Sequence, residues 1–134
     1  MCESLLFATT PTVASVPSGA TIPLAQIARR VSQRIQLGSD SVIAYTAGYY
    51  KVSGTITFTA PAAGNVTVEL HKNGAPVTGV TTSGTITTAT TEIVTLPIEG
   101  IVRVFCNETA VLTLVNTGVA INISNVALTV EKVA

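Results

Sequence analysis

The sequence predicts an all-β sandwich or jelly roll of about ten antiparallel strands. Three observations carry that expectation. Thr, Val and Ile dominate the 134 residues, and β-branched side chains fit a pleated sheet better than a helix. Apolar and polar residues alternate with period two in run after run, the pattern of a strand with one buried face. Turn signals separate the runs at the spacing of a two-sheet fold.

The clearest run is Tyr50 to Phe58. Tyr50, Val52, Ile56 and Phe58 point one way, and Lys51, Ser53, Thr55 and Thr57 point the other. The alternation returns in Val66, Val68 and Leu70, in Val94, Leu96 and Ile98, in Leu112 and Leu114, and in Val126, Leu128 and Val130. Between them lie Pro61-Ala62-Ala63-Gly64, Asn73-Gly74-Ala75-Pro76, Ser83-Gly84, Glu99-Gly100, Asn107-Glu108 and Asn116-Thr117-Gly118. Asn73-Gly74 is the strongest turn, because both residues tolerate positive φ. Gly48 and Gly54 mark a strand entry and a close approach or bulge.

One segment resists the pattern. Leu24, Ile27, Ala28, Val31 and Ile35 sit at helical spacing behind Pro23, so a short helix competes there with an irregular strand. The Thr-rich span from Val80 to Thr91 lacks long apolar groups, which suits an exposed strand edge.

Composition bounds the function. The chain is 47% apolar, 10% charged and 4% aromatic, with mean hydropathy +0.56. So few charges over so large an apolar share favour surface buried against copies of itself. Formal net charge is zero and no basic tract is present, so electrostatic binding to nucleic acid has no support. Arg29, Arg30 and Arg34 form the only basic cluster, read as a solvated face or intersubunit pairs rather than a phosphate site. No apolar run approaches the roughly 18 residues of a membrane span, and Leu5-Leu6-Phe7-Ala8 is too short for a signal-peptide core.

Catalytic chemistry finds no constellation, and neither a metal site nor a cofactor site is expected. His71 is the single histidine; it falls on the polar face of its strand, where an exposed strand-end residue is expected. Asp40 is the single aspartate, the glutamates are scattered, and Gly-x-Ser-x-Gly is absent. Glu69 and Glu92 are candidates for a cross-strand approach only. Cys2 and Cys106 are the two cysteines; free buried thiols are the default, with a bridge between them as the lesser case. Asn65-Val66-Thr67, Asn107-Glu108-Thr109 and Asn122-Ile123-Ser124 match the glycosylation triplet, which arises readily by chance in a Thr-rich chain. Tyr49, opposite in parity to Tyr50, is the aromatic best placed to meet a partner or a sugar.

Gly48-x-Tyr50-x-Val52-Ser53, Val68-x-Leu70-x-Lys72-Asn73-Gly74 and Val126-Ala127-Leu128-Thr129-Val130 together resemble the jelly roll of the tumour necrosis factor and complement globular-head superfamily. The resemblance spans residues 35 to 132. Met1-Cys2-Glu3-Ser4-Leu5-Leu6-Phe7 and Ala63-Gly64-Asn65-Val66-Thr67-Val68 are similar to small head-decoration or head-fibre proteins of bacteriophages. The superfamily resemblance implies a ten-stranded sandwich forming a parallel homotrimer. Tyr49, Lys51, Ser53, Thr55, Thr57, Ala127 and Thr129 would then form the trimer interface, with Lys51, Ser53, Thr55 and Thr57 facing the axis and Ala127 and Thr129 near it. The aromatic-rich last strand and the calcium ligand set of complement heads are absent, which disfavours an innate-immunity role.

The resulting expectation is a non-enzymatic virion protein that decorates or stabilises a phage head, assembled in the bacterial host cytoplasm. Its partners would be itself and the major capsid protein. Residues 1–23 would form a capsid-facing arm, with Cys2, Leu5 and Phe7 as contacts, and residues 24–134 the jelly-roll domain. Two rivals stand beside it: a fibre tip that binds a receptor or surface glycan, and a structural trimer of a bacterial surface or spore coat.

Overall fold

The computed structural model describes residues 5–10, 14–24, 26–31, 34–38 and 40–134. Eleven strands make up the described fold, and all pair antiparallel: β1 (Leu5–Thr10), β2 (Ala14–Val16), β3 (Gln26–Val31), β4 (Ile35–Leu37), β5 (Val42–Ala44), β6 (Gly48–Thr59), β7 (Gly64–Lys72), β8 (Ala75–Ile86), β9 (Val94–Val104), β10 (Ala110–Asn116) and β11 (Ile121–Lys132). The first sheet runs β3-β1-β11-β6-β9, with β2 also beside β11; the second runs β4-β5-β10-β7-β8. The jelly-roll sandwich expected from the alternation is the fold observed.

The inward positions of both sheets fill one apolar core. Tyr50, Val52, Ile56 and Phe58 of β6 are fully buried, as are Val66, Val68 and Leu70 of β7, Leu112 and Leu114 of β10, and Val126 and Val130 of β11. Each large side chain taken out of water contributes about 1.5–3 kcal/mol. The Tyr50 hydroxyl escapes isolation by donating to the Thr46 carbonyl oxygen at 2.8 Å. Gly54 shares the inward parity of β6, but a Cβ there would run into the Ala127 carbonyl oxygen and Leu128 Cα of β11. The missing side chain is what lets these two strands approach.

Asn73 and Gly74 both adopt positive φ, 52° and 86°, and close the β7–β8 hairpin. Asn73 also ties the turn to β10: its Oδ1 accepts from the Val111 amide at 2.8 Å. A second tie is buried. Asn116, at the end of β10, donates through Nδ2 to the Val119 carbonyl at 2.9 Å and more weakly to the Val16 carbonyl at 3.4 Å. Its Oδ1 accepts from the Gly118 amide at 3.1 Å. One amide thus joins β2, β10 and the turn before β11.

The helix considered around Leu24 to Ile35 is not what forms. Residues 26–31 are strand β3, hydrogen-bonded to β1, and Ile35 opens β4. Leu24 and Ile35 are buried, whereas Ile27 and Val31 are exposed, so helically spaced apolar residues do not share one core-facing stripe. The free edge of β1 offers the backbone a partner, and the β-branched residues accept it. Of the segment expected to reach towards a capsid, Leu5–Thr10 and Ala14–Val16 are strands of the sandwich. β1 lies between β3 and β11, and Leu6 and Ala8 are fully buried. Cys2 lies outside the described residues.

Candidate functional site

With one side of the first sheet committed to the core, its other side presents a broad face. Cross-strand register resolves that face into rows. One row reads Val31, Leu5, Glu131, Lys51, Ile101. The next reads Arg29, Phe7, Thr129, Ser53, Glu99, and the third Gln26, Thr9, Ala127, Thr55, Pro97. Asn125, Thr57 and Thr95 continue beyond them. The seven residues expected at a trimer interface, Tyr49, Lys51, Ser53, Thr55, Thr57, Ala127 and Thr129, therefore lie on one face of β6 and β11. Leu5 and Phe7 share it, half-buried on β1.

The centre of this face carries no charge. Thr129, Ser53, Ala127 and Thr55 are small, so the surface they leave is low and admits close approach of another backbone. Charge sits towards one end, where Lys51 Nζ lies 3.9 Å from a Glu99 carboxylate oxygen, both well exposed; such a pair contributes little to stability. Apolar groups border the same end: Ile101 is 54% exposed, Val31 51% and Tyr49 44%. Thr57 and Thr95 join across β6 and β9 through their hydroxyls at 3.0 Å.

The contribution of β9 to this face is the part that sequence reasoning misses. Pro97, Glu99, Ile101 and Arg103 follow from the inward parity of Leu96 and Ile98, and that alternation is the available signal. Arg103 stands opposite Tyr49 in the ladder, with its guanidinium carbon 5.7 Å from the Tyr49 ring centre and 4.5 Å from that of Phe105.

Polar side chains elsewhere are occupied with one another. His71 is not the exposed strand-end residue expected; it is half-buried, with Nε2 3.1 Å from the Glu69 carboxylate on the outer face of the second sheet. Glu69 and Glu92 do not pair. Glu92 instead accepts from the Thr87 and Thr88 amides and the Thr87 hydroxyl, at 2.7, 3.0 and 3.0 Å. Those bonds, the Thr88 amide foremost, hold its carboxyl below the usual range. Glu108 is lowered too, first by the hydrogen bond from Lys72 and then by the Phe105 amide. Among the described residues, no three His, Cys, Asp or Glu side chains gather as a metal site would require. Cys106 is a free thiol, exposed in the turn after β9 rather than buried as expected.

No family model and no curated protein matches the chain. Solved structures do. Eiger TNF from S. frugiperda superposes with a TM-score of 0.68 at 14% identity, covering 98% of this chain and 92% of that one. The globular domain of zebrafish complement 1qA gives 0.69 at 5% identity, over 96% and 94%. The chain has the tumour-necrosis-factor-like jelly-roll fold. That fold also extends to a phage protein: the PRD1 vertex protein P5 superposes with a TM-score of 0.61 at 14% identity, over 100% of this chain and 99% of that one. A TNF, a complement head and a phage vertex protein thus share this sandwich, and their names describe no enzyme.

Proposed function

We propose that the chain is a structural protein of a bacteriophage virion, a homotrimer that decorates or stabilises the head. The observation that carries this reading is the end-to-end likeness to the PRD1 vertex protein. A chain poor in charge, with no cluster of catalytic side chains among its described residues, suits a role fulfilled by shape and adhesion. The outer face of the first sheet is the self-association surface, with Ser53, Thr55, Thr57, Ala127 and Thr129 towards the axis and Tyr49 and Lys51 at one end. Leu5 and Phe7, on the β1 side of the same sheet, are the candidates for contact with the major capsid protein. Three linked copies at each capsid site would raise the effective concentration of every further contact.

Light scattering after size exclusion tests the assembly. The expected mass is three times 13.7 kDa, stable on dilution. Thr55→Glu places three carboxylates around the axis; at about 10 Å and an effective dielectric constant of about 20, the three pairs repel by about 5 kcal/mol. That variant should lose the trimer and keep its β circular dichroism. A monomeric wild type, or a fully trimeric variant, would overturn the face assignment. Labelling of purified phage particles with an antibody to the chain then tests the virion assignment.

A further inference from the structure

A second surface lies where the edge strands β8 and β9 come together. A groove of about 470 Å³ runs there, walled by Pro76 and Val77 after the Asn73-Gly74 turn and by Ile101, Arg103 and Phe105 on the opposite side. Its lining is apolar for the most part, with charges confined to Lys72, Arg103 and Glu108.

Those three charges do not cancel. Glu108 accepts from Lys72 Nζ at 2.8 Å and from the Phe105 amide at 2.9 Å, and Lys72 also donates to the Arg103 carbonyl at 2.7 Å. Lys72 and Glu108 are therefore committed to each other and to the turn. Arg103 is left over. Its guanidinium packs against the Phe105 and Tyr49 rings, and no carboxylate among the described residues lies within 4.0 Å of it. Stacking holds the planar fork while leaving its edge of donors unspent, the arrangement suited to a bidentate carboxylate.

We propose that this groove binds an acidic side chain flanked by apolar residues in a peptide segment of another protein. Arg103 takes the carboxylate, and Pro76, Val77 and Ile101 take the neighbouring aliphatic groups. A sugar acid fits less well, because both Arg103 and Lys72 already pack against Phe105, with Lys72 Nζ 5.0 Å from its ring centre. A nucleic-acid backbone would need a track of cations, and one uncompensated charge is not a track. The proposal does not depend on the trimer, although Tyr49, Ile101 and Arg103 also belong to one end of the face described above.

The test is an NMR titration of the ¹⁵N-labelled protein with the capped peptide acetyl-Leu-Glu-Val amide, with its Gln counterpart, and with N-acetylneuraminic acid. The expected result is saturable shifts of the Arg103 side-chain Nε–H and of the Val77, Ile101 and Phe105 amides with the Glu peptide. Binding should weaken at least about tenfold with the Gln peptide and in Arg103→Ala, the loss expected for a charged hydrogen-bond pair. Unchanged shifts elsewhere would verify that the variant is folded, and light scattering should find its mass equal to wild type. Absence of saturable shifts, equal affinity for the Glu and Gln peptides, or preference for the sugar acid would overturn the proposal. A fall in the oligomeric mass of Arg103→Ala would also overturn it, by assigning the groove to a second copy of this chain. A monomeric wild type that still binds the Glu peptide through Arg103 would refute the trimer and leave the groove standing.

Discussion

Replacing Asn116 by aspartate changes one atom and reverses one side chain's role. Nδ2 of Asn116 is a donor facing two carbonyls, Val119 at 2.9 Å and Val16 at 3.4 Å, and the residue is fully buried. An ionised carboxylate would present an acceptor to both. The good bond is lost at about 1 kcal/mol, and the opposed buried acceptors cost about 1–3 kcal/mol more. Desolvation of the new charge adds to that, against a strengthened bond from Gly118. The net cost at neutral pH is about 3–4 kcal/mol, in line with other buried unpaired charges. With a urea slope of about 2 kcal/mol per molar, the midpoint falls by about 1.5–2 M.

The pH dependence has a definite sign. The folded state raises the pKa of the introduced carboxyl above its unfolded value, because the protonated acid can still donate to Val119. The penalty is therefore absent below about pH 4, the unfolded range, and grows as pH rises until the folded group ionises. Urea unfolding of N116D and wild type at pH 7 and pH 4, at equal protomer concentration, measures the difference directly. An unchanged midpoint at pH 7, or the same loss at both pH values, would refute the reasoning.

Three other outcomes follow from the same geometry. Gly54→Ala forces a methyl against the β11 backbone at Ala127 and Leu128, and should cost about 1–3 kcal/mol in the same urea assay. Tyr50→Phe removes the hydroxyl that bonds to Thr46; about 1–2 kcal/mol should be lost with the near-ultraviolet spectrum otherwise retained. Glu92 and Glu108 have lowered folded pKa values, so their stabilisation is present above the unfolded carboxylate range and disappears as pH falls through the folded values. Wild type should therefore lose stability on acidification, by a smaller amount in Glu92→Gln, as read from thermal midpoints between about pH 7 and pH 3.

The parts of this molecule legible in the sequence are those where one face of a strand is buried. Tyr50 to Phe58 can be assigned to core and surface because a slip of one residue would expose the entire apolar set. Asn73-Gly74 is legible because its backbone geometry is a property of those two residues. Gln26 to Val31 is not, since that edge strand buries neither Ile27 nor Val31 and leaves no period-two signal. The Arg103 cluster escapes for a different reason. Tyr49, Lys72, Arg103 and Phe105 come from three strands and the turn after β9; the β6–β9 ladder sets Tyr49 opposite Arg103, and Lys72 reaches the Arg103 carbonyl and the Phe105 ring from the other sheet. Glu92 reads as an ordinary charge in a Thr-rich span until the loop turns two amides towards it.

The position of β1 and β11 has a consequence for how the protein is made. Leu5 lies opposite Glu131, so the earliest described strand finds its central neighbour only in the last. β11 also supplies the partner for β2 and for nearly the whole length of β6. During synthesis the β7–β8 hairpin can form early, but the second sheet waits for β10 to join β5 to β7, and the first stays open down its middle until β11. Loop closure over almost the whole chain must precede that final pairing, which makes folding slow relative to locally connected domains. The face built on β6 and β11 consequently does not exist until β11 has been made. Neighbouring chains on one messenger cannot meet through it before each has reached that strand.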